Sequence, residues 1–153
     1  MKQRFLKAQF VQFIPESLED GVIYVSRKYG TATHRCCCGC GQEVVTPIGP
    51  TNWSLQVTGG AVTLYPSIGN WSLPCRSHYW IRNGGVEWAG TMSAQEVQRG
   101  RIADQRIRDR YFAEANRQKE INAPWAETQT GQTHGRPDWM DRAWQYFKLW
   151  FGA

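Results

Sequence analysis

All five cysteines of this chain fall in two short segments, His34-Arg35-Cys36-Cys37-Cys38-Gly39-Cys40-Gly41 and Pro74-Cys75-Arg76-Ser77-His78. No other feature restricts the fold as strongly, because the two segments must meet if the thiols are to act together. A Cys-x-Cys-x-Cys run with one remote cysteine offers Cys36, Cys38, Cys40 and Cys75 as sulfur donors, the set that tetrahedral zinc takes. Gly39 and Gly41 permit the tight bends that bring neighbouring thiols onto one point. The opening MKQRFLKAQFVQFIP alternates charged and apolar residues, unlike the continuous apolar core of a secretory signal, and no segment has the length of a membrane span. The expectation is a cytoplasmic protein with reduced thiols and bound Zn2+ rather than disulfides. His78 or His34 could replace one thiolate.

Around this knot the first ninety residues read as β structure. Val22–Val25, Thr31–Arg35, Val44–Thr46, Trp53–Val57, Ala61–Tyr65, Tyr79–Ile81 and Val86–Trp88 are the expected strands. Gly59-Gly60 and Asn83-Gly84-Gly85 between them are hairpin signatures. Short strands at this spacing predict a mainly β fold, a small antiparallel sheet or barrel pinned by the zinc knot. A hydrophobic content of 41% is enough for a core. Trp53, Tyr65, Trp71, Tyr79, Trp80 and Trp88 are expected mostly inside it.

The character changes near residue 91. Ser93-Ala94-Gln95-Glu96 is a capping box, and a helix is expected from Val97 to Glu120 with Ala103, Ile107, Tyr111 and Ala115 as a narrow apolar stripe. Gly100 weakens its first turns. A loop over 123–136 precedes a second helix opening at Pro137 and Asp138, with Met140, Ala143, Trp144, Phe147 and Trp150 on one face. The division expected is a zinc-bound β domain over 1–90 that carries the site and a helical appendage over 91–153. The net charge of +5 is not gathered into a run, which argues against nucleic acid as a partner.

The chemistry has several readings. A closed set of four thiolates would make the metal structural. A catalytic zinc keeps an open position and a nearby carboxylate base, and neither cysteine segment contains an acid. Ser67, in Tyr65-Pro66-Ser67-Ile68-Gly69-Asn70, ends a strand at a turn. His78 enters the next strand. If those strands are neighbours, hydroxyl and imidazole could form a nucleophile–base pair. His34, Asn70 and Ser77 are candidates to support it, Asn70 or the N–H groups of the Gly69 turn as oxyanion donors. Serines and histidines in turns are commonly hydrogen-bonding groups and nothing more. Cys37 is the spare thiol, a nucleophile if zinc lowers its pKa and otherwise a bystander, which is the reading preferred. Trp71, in its turn, is the tryptophan most exposed to a ligand.

These same residues carry a resemblance. His34-x-Cys36-x-Cys38-Gly39-Cys40-Gly41, Thr46-Pro47, Trp53, Tyr65-Pro66-Ser67-Ile68-Gly69-Asn70-Trp71 and Pro74-Cys75-x-Ser77-His78-Tyr79-Trp80-Ile81 resemble, over residues 30–90, a small bacterial family long classed as a domain of unknown function. Its members are encoded beside a ubiquitin-like modifier with E1-like and E2-like enzymes, and are regarded as peptidases that trim the modifier or remove it from targets. The resemblance implies a deubiquitinase-like hydrolase, with Ser67 and His78 as its catalytic residues and Trp53, Trp71 and Trp80 walling a groove for the modifier's extended tail. Family members often have proline at the position of Cys37, which argues against a shared cysteine nucleophile. The rival reading is a zinc-binding adaptor, without enzymatic activity, for the modifier or its E2-like enzyme. A variant makes the zinc itself catalytic, with His78 as a ligand.

Overall fold

The computed structural model describes residues 1–123. Eight strands come first, β1 (Lys7–Phe10), β2 (Val22–Ser26), β3 (Thr31–Arg35), β4 (Glu43–Pro47), β5 (Ser54–Thr58), β6 (Ala61–Gly69), β7 (His78–Arg82) and β8 (Gly85–Trp88), and one helix, α1 (Ala94–Asn122), follows. The strands form two sheets, in the orders β1-β2-β3-β4 and β5-β6-β7-β8, rather than the single sheet expected. All pairs are antiparallel except β1 with β2. Single bridges stitch the sheets at both ends, Ile48 to Trp53 and Phe5 to Gly85. The arrangement thus approaches the barrel alternative and leaves less unpaired strand edge.

Side-chain alternation explains which face is inside. On β4, Val44 and Thr46 are buried and their neighbours exposed. On β7, Tyr79 and Ile81 point inward while His78 and Trp80 stand half-exposed. One core then collects Leu6, Ile23, Val25, Ala32 and Val44 with Val62, Leu64, Ile68, Tyr79 and Ile81. Each hairpin turn has the backbone its residues favour. Gly59 and Gly60 have φ of 56° and 82°, and Asn83 and Gly84 have 47° and 78°, the left-handed pairs that match strand twist. β1 has no counterpart among the expected strands, because KAQF is largely exposed and carries no strong alternation of its own.

The aromatic residues correct the expectation of a tryptophan-rich core. Tyr79 is wholly buried, whereas Tyr65 is 69% exposed and Trp88 37%, and Trp53, Trp71 and Trp80 are half-buried. The helix begins as its capping box predicts. Ser93 N–H and Oγ donate to Glu96 Oε2 at 2.8 and 2.7 Å, and the Glu96 N–H donates back to Ser93 Oγ at 3.3 Å. Gly100 does not interrupt it. Val97 is the buried residue of α1, while Ile107 and Tyr111 of the expected stripe stay exposed. Residues 1–115 form one compact unit holding both sheets and most of α1. The second helix expected after Pro137 lies outside the described residues.

Candidate active site and metal centre

The thiols meet as the spacing requires. The Cys36–Gly41 loop joins β3 to β4 and is tied by Cys36 N–H to Gln42 O at 2.7 Å and Gly39 N–H to Cys36 O at 3.0 Å. Gly39 has φ 86°, and a Cβ there would strike the Met1 backbone at 2.9 Å, so glycine is needed twice over. The Asn70–Ser77 loop joins β6 to β7, closed by Asn70 N–H to Ser77 O at 2.9 Å and Arg76 N–H to Leu73 O at 3.0 Å. Across the two loops, the sulfurs of Cys36, Cys38, Cys40 and Cys75 all lie within 4.8 Å of one another. Cys36 Sγ is 3.4 Å from Cys38 Sγ and 3.8 Å from Cys75 Sγ. Tetrahedral thiolates at ordinary metal–sulfur distances would stand about 3.8 Å apart, so the set could hold a metal ion.

Polar side chains line the inner side of this cluster. Ser77 Oγ is 3.1 Å from Cys36 Sγ and 3.6 Å from Cys75 Sγ. Asn70 Nδ2 donates to Ser77 Oγ at 2.8 Å and approaches Tyr79 Oη at 3.3 Å and Cys36 Sγ at 3.8 Å. His34 Nε2 bonds Tyr79 Oη at 2.8 Å. Burial lowers His34 to a pKa of about 4 and pushes Tyr79 up, so both are neutral at pH 7. Opposing its desolvation, hydrogen bonds with Ser77, Cys38 and Cys40 bring Cys75 down to about 7, which favours a thiolate where the sulfurs converge. Cys37 points instead into the core, wholly buried, and desolvation raises its thiol to about 12. A thiol so protonated is a poor nucleophile.

The other side of the same strand pair carries the second constellation. Leu64 pairs with Ile81 but Ile68 with Tyr79, so four steps along β6 match two along β7. The excess is a bulge over Tyr65, Pro66 and Ser67. Gly69 stands directly opposite His78, and Ser67, two residues earlier, shares Gly69's face. Ser67 and His78 are thus diagonal neighbours within side-chain reach. Ser67 Oγ lies 2.9 Å from His78 Nε2, and His78 Nδ1 lies 2.9 Å from the Gly90 carbonyl. That carbonyl can only accept, so Nδ1 carries the hydrogen and Nε2 presents its lone pair to the hydroxyl. Trp71 and Trp80 flank the imidazole, with ring centroids 5.0 and 5.7 Å away. Trp53 Nε1–H donates to the Ser67 carbonyl at 3.3 Å, bracing the bulge.

Ser67, His78, Trp53 and Trp71 line a cleft of about 390 Å3, and Glu96, Gly100, Arg101 and Asp104 of α1 line it as well. Trp80 is absent from that lining and flanks His78 from outside. The residues considered as support for the pair lie elsewhere: His34, Asn70 and Ser77 are buried among the sulfurs and Tyr79. Both nitrogens of His78 are engaged by Ser67 and Gly90, and the group of potential metal ligands contains neither His78 nor His34. The orienting group is a backbone carbonyl, which no residue type in a sequence announces. The Trp53 brace is likewise a contact of an indole with a backbone atom.

No curated protein and no solved structure matches the chain. Residues 10–89 match the family described as bacterial ubiquitination-like system serine protease (BubE), a span that contains Ser67, His78 and all the clustered cysteines. That span exceeds half of the 153 residues, and the chain therefore belongs to the BubE family of bacterial ubiquitination-like system serine proteases.

Proposed function

We propose that this protein trims or removes a bacterial ubiquitin-like modifier by serine chemistry. The observation that carries the reading is the 2.9 Å contact of Ser67 Oγ with His78 Nε2 in an open cleft, within the span matched to a serine protease family. The Ser67 hydroxyl oxygen attacks the carbonyl carbon of the scissile peptide, isopeptide or ester bond. Its proton passes to His78 Nε2 as the carbonyl π pair moves onto oxygen. Collapse of that intermediate expels the amine or alcohol, which takes the proton from Nε2. Water then attacks the acyl ester with proton transfer to the same nitrogen, and Ser67 recovers that proton as the acid leaves. The Gly90 carbonyl holds the productive tautomer throughout. Unlike a carboxylate, it adds no full negative charge to stabilise the imidazolium.

The four cysteines suit Zn2+ in a structural role, because four thiolates complete its shell and leave no position for substrate. When bound, the ion supplies cross-linking of the β3–β4 and β6–β7 loops, which sets the register of the strands carrying Ser67 and His78. Trp53 and Trp71 would wall the path of the modifier's extended tail. Residues 91–153 would form a recognition appendage to the zinc-bound β domain of 1–90, with the first turns of α1 at the cleft supporting that role. The modifier and its conjugates are the proposed partners, with the E1-like and E2-like enzymes as further contacts in the cytoplasm.

The test is incubation with a modifier precursor that extends beyond its processed C-terminus. The wild-type protein should shorten it, and Ser67→Ala should bind it intact. Binding without cleavage by the wild type would establish the adaptor reading instead. Cleavage by Ser67→Ala at the wild-type rate would return the chemistry to the metal.

A further inference from the structure

An acyl-transfer site needs a hydrogen-bond donor aimed at the oxygen that becomes negative. Several side chains in or beside the cleft carry such donors, and some are committed. Asn70 Nδ2 is buried and spent on Ser77 and Tyr79. Trp53 Nε1–H is spent on the Ser67 carbonyl. Trp71 differs. Its indole nitrogen has no hydrogen-bond partner among the described residues, although indole N–H is a donor and nothing else.

The position of that nitrogen is fixed by Gly69. The pyrrole edge of Trp71 occupies the place of a side chain on Gly69: a Cβ there would collide with Nε1, with Cε2 at 2.6 Å and with Cζ2 at 2.9 Å. Gly69 is the cross-strand partner of His78 and shares a face with Ser67. The same indole lies 5.0 Å, centroid to centroid, from the imidazole. The unpartnered N–H therefore lies beside Gly69, on the strand face that carries Ser67 and His78, and Trp71 lines the same cleft as that pair. Ser67 itself lies outside the paired register of β6 and β7.

We infer that Trp71 Nε1–H is an oxyanion donor: as Ser67 Oγ adds to the carbonyl carbon, the carbonyl oxygen gains the π electron pair and accepts a hydrogen bond from the indole. The absence of a side chain at Gly69 is what admits the indole to this position. The inference rests on the reading of Ser67 and His78 as nucleophile and base. It assigns Trp71 a part in the chemical step beyond walling the groove.

The test uses the full chain, p-nitrophenyl acetate, and the corresponding thionoester, whose C=S sulfur is a much weaker acceptor. Trp71→Phe keeps an aromatic ring beside Gly69 and His78 but has no N–H. It should lower kcat for the oxygen ester roughly 100-fold to 1,000-fold, the usual loss for one oxyanion donor, with KM little changed and with metal content and Tm preserved. Wild type should discriminate strongly against the thionoester, and Trp71→Phe should lose most of that discrimination. Undiminished kcat in Trp71→Phe overturns the inference. So does a reduced kcat with the oxygen-to-sulfur ratio of wild type, because the ring then merely positions His78. Wild-type hydrolysis abolished by Ser67→Ala but unaffected by Trp71→Phe would sink the donor role and leave the serine mechanism standing. Ester hydrolysis that does not depend on Ser67 at all would bring both down.

Discussion

The β6–β7 strand pair has two faces with opposite characters. On the buried face Tyr79, Asn70 and Ser77 join His34 and Cys36 in a network of hydrogen bonds among buried groups. On the open face Ser67 and His78 make one short contact in a cleft. The sequence interleaves them, since Ser77 and Tyr79 flank His78. The alternation of a strand separates them: successive residues serve the sulfur cluster and the cleft in turn. Polar groups enclosed in a protein act on stability, because each lost partner strands another buried group. Polar groups in a cleft are free to act on a substrate. The two faces should accordingly fail in different ways.

The largest effect is expected at the cluster. Cys36→Ser, or removal of metal by a chelator, should abolish cooperative unfolding in the β region, because folding and metal binding are coupled at such sites. Loss of the near-ultraviolet circular dichroism of the tryptophans would report it. An unchanged melting curve in metal-free protein would show that the sheets hold the loops without help.

The next effect separates the faces. Tyr79→Phe removes the hydroxyl shared by His34 and Asn70 and should cost about 1–3 kcal/mol, seen in urea melts. Turnover per folded molecule should stay near wild type. A large fall in kcat without a fall in stability would mean that the buried network reaches into the chemistry.

Smaller effects sharpen the comparison. Trp53→Phe deletes the donor to the Ser67 carbonyl and should reduce kcat about tenfold by loosening the bulge, while the metal is retained. Cys37→Ala removes a thiol that burial keeps protonated. It should lower stability by about 1 kcal/mol and leave hydrolysis intact. Substantial inactivation of Cys37→Ala would reopen a cysteine mechanism.

Much of this contrast was legible in the residues themselves. The cysteine spacing identifies the sulfur cluster, and glycine pairs place two hairpins. Ser93 and Glu96 mark the start of α1 because a capping box depends on adjacent residues. Other features need tertiary contacts. β1 gains its status from pairing with β2 and from the bridge of Phe5 to Gly85. The bulge that positions Ser67 is a mismatch between two strands, so no single segment records it. Asn70 has the chemistry of an oxyanion donor, but its direction is decided by Ser77 and Tyr79. The hydrogen-bond acceptor for His78 is a carbonyl that every residue possesses.

The central claim is that Ser67 and His78 act as one nucleophilic pair on a frame that does not depend on His78 for its metal. A fluorophosphonate probe, followed by mass spectrometry of the adduct and elemental analysis of the same samples, tests this most directly. The account predicts an adduct on Ser67 in the wild type. It predicts almost none in His78→Ala, with the metal content of the two proteins equal. Labelling at another residue, full labelling of Ser67 in His78→Ala, or loss of metal from His78→Ala would contradict it.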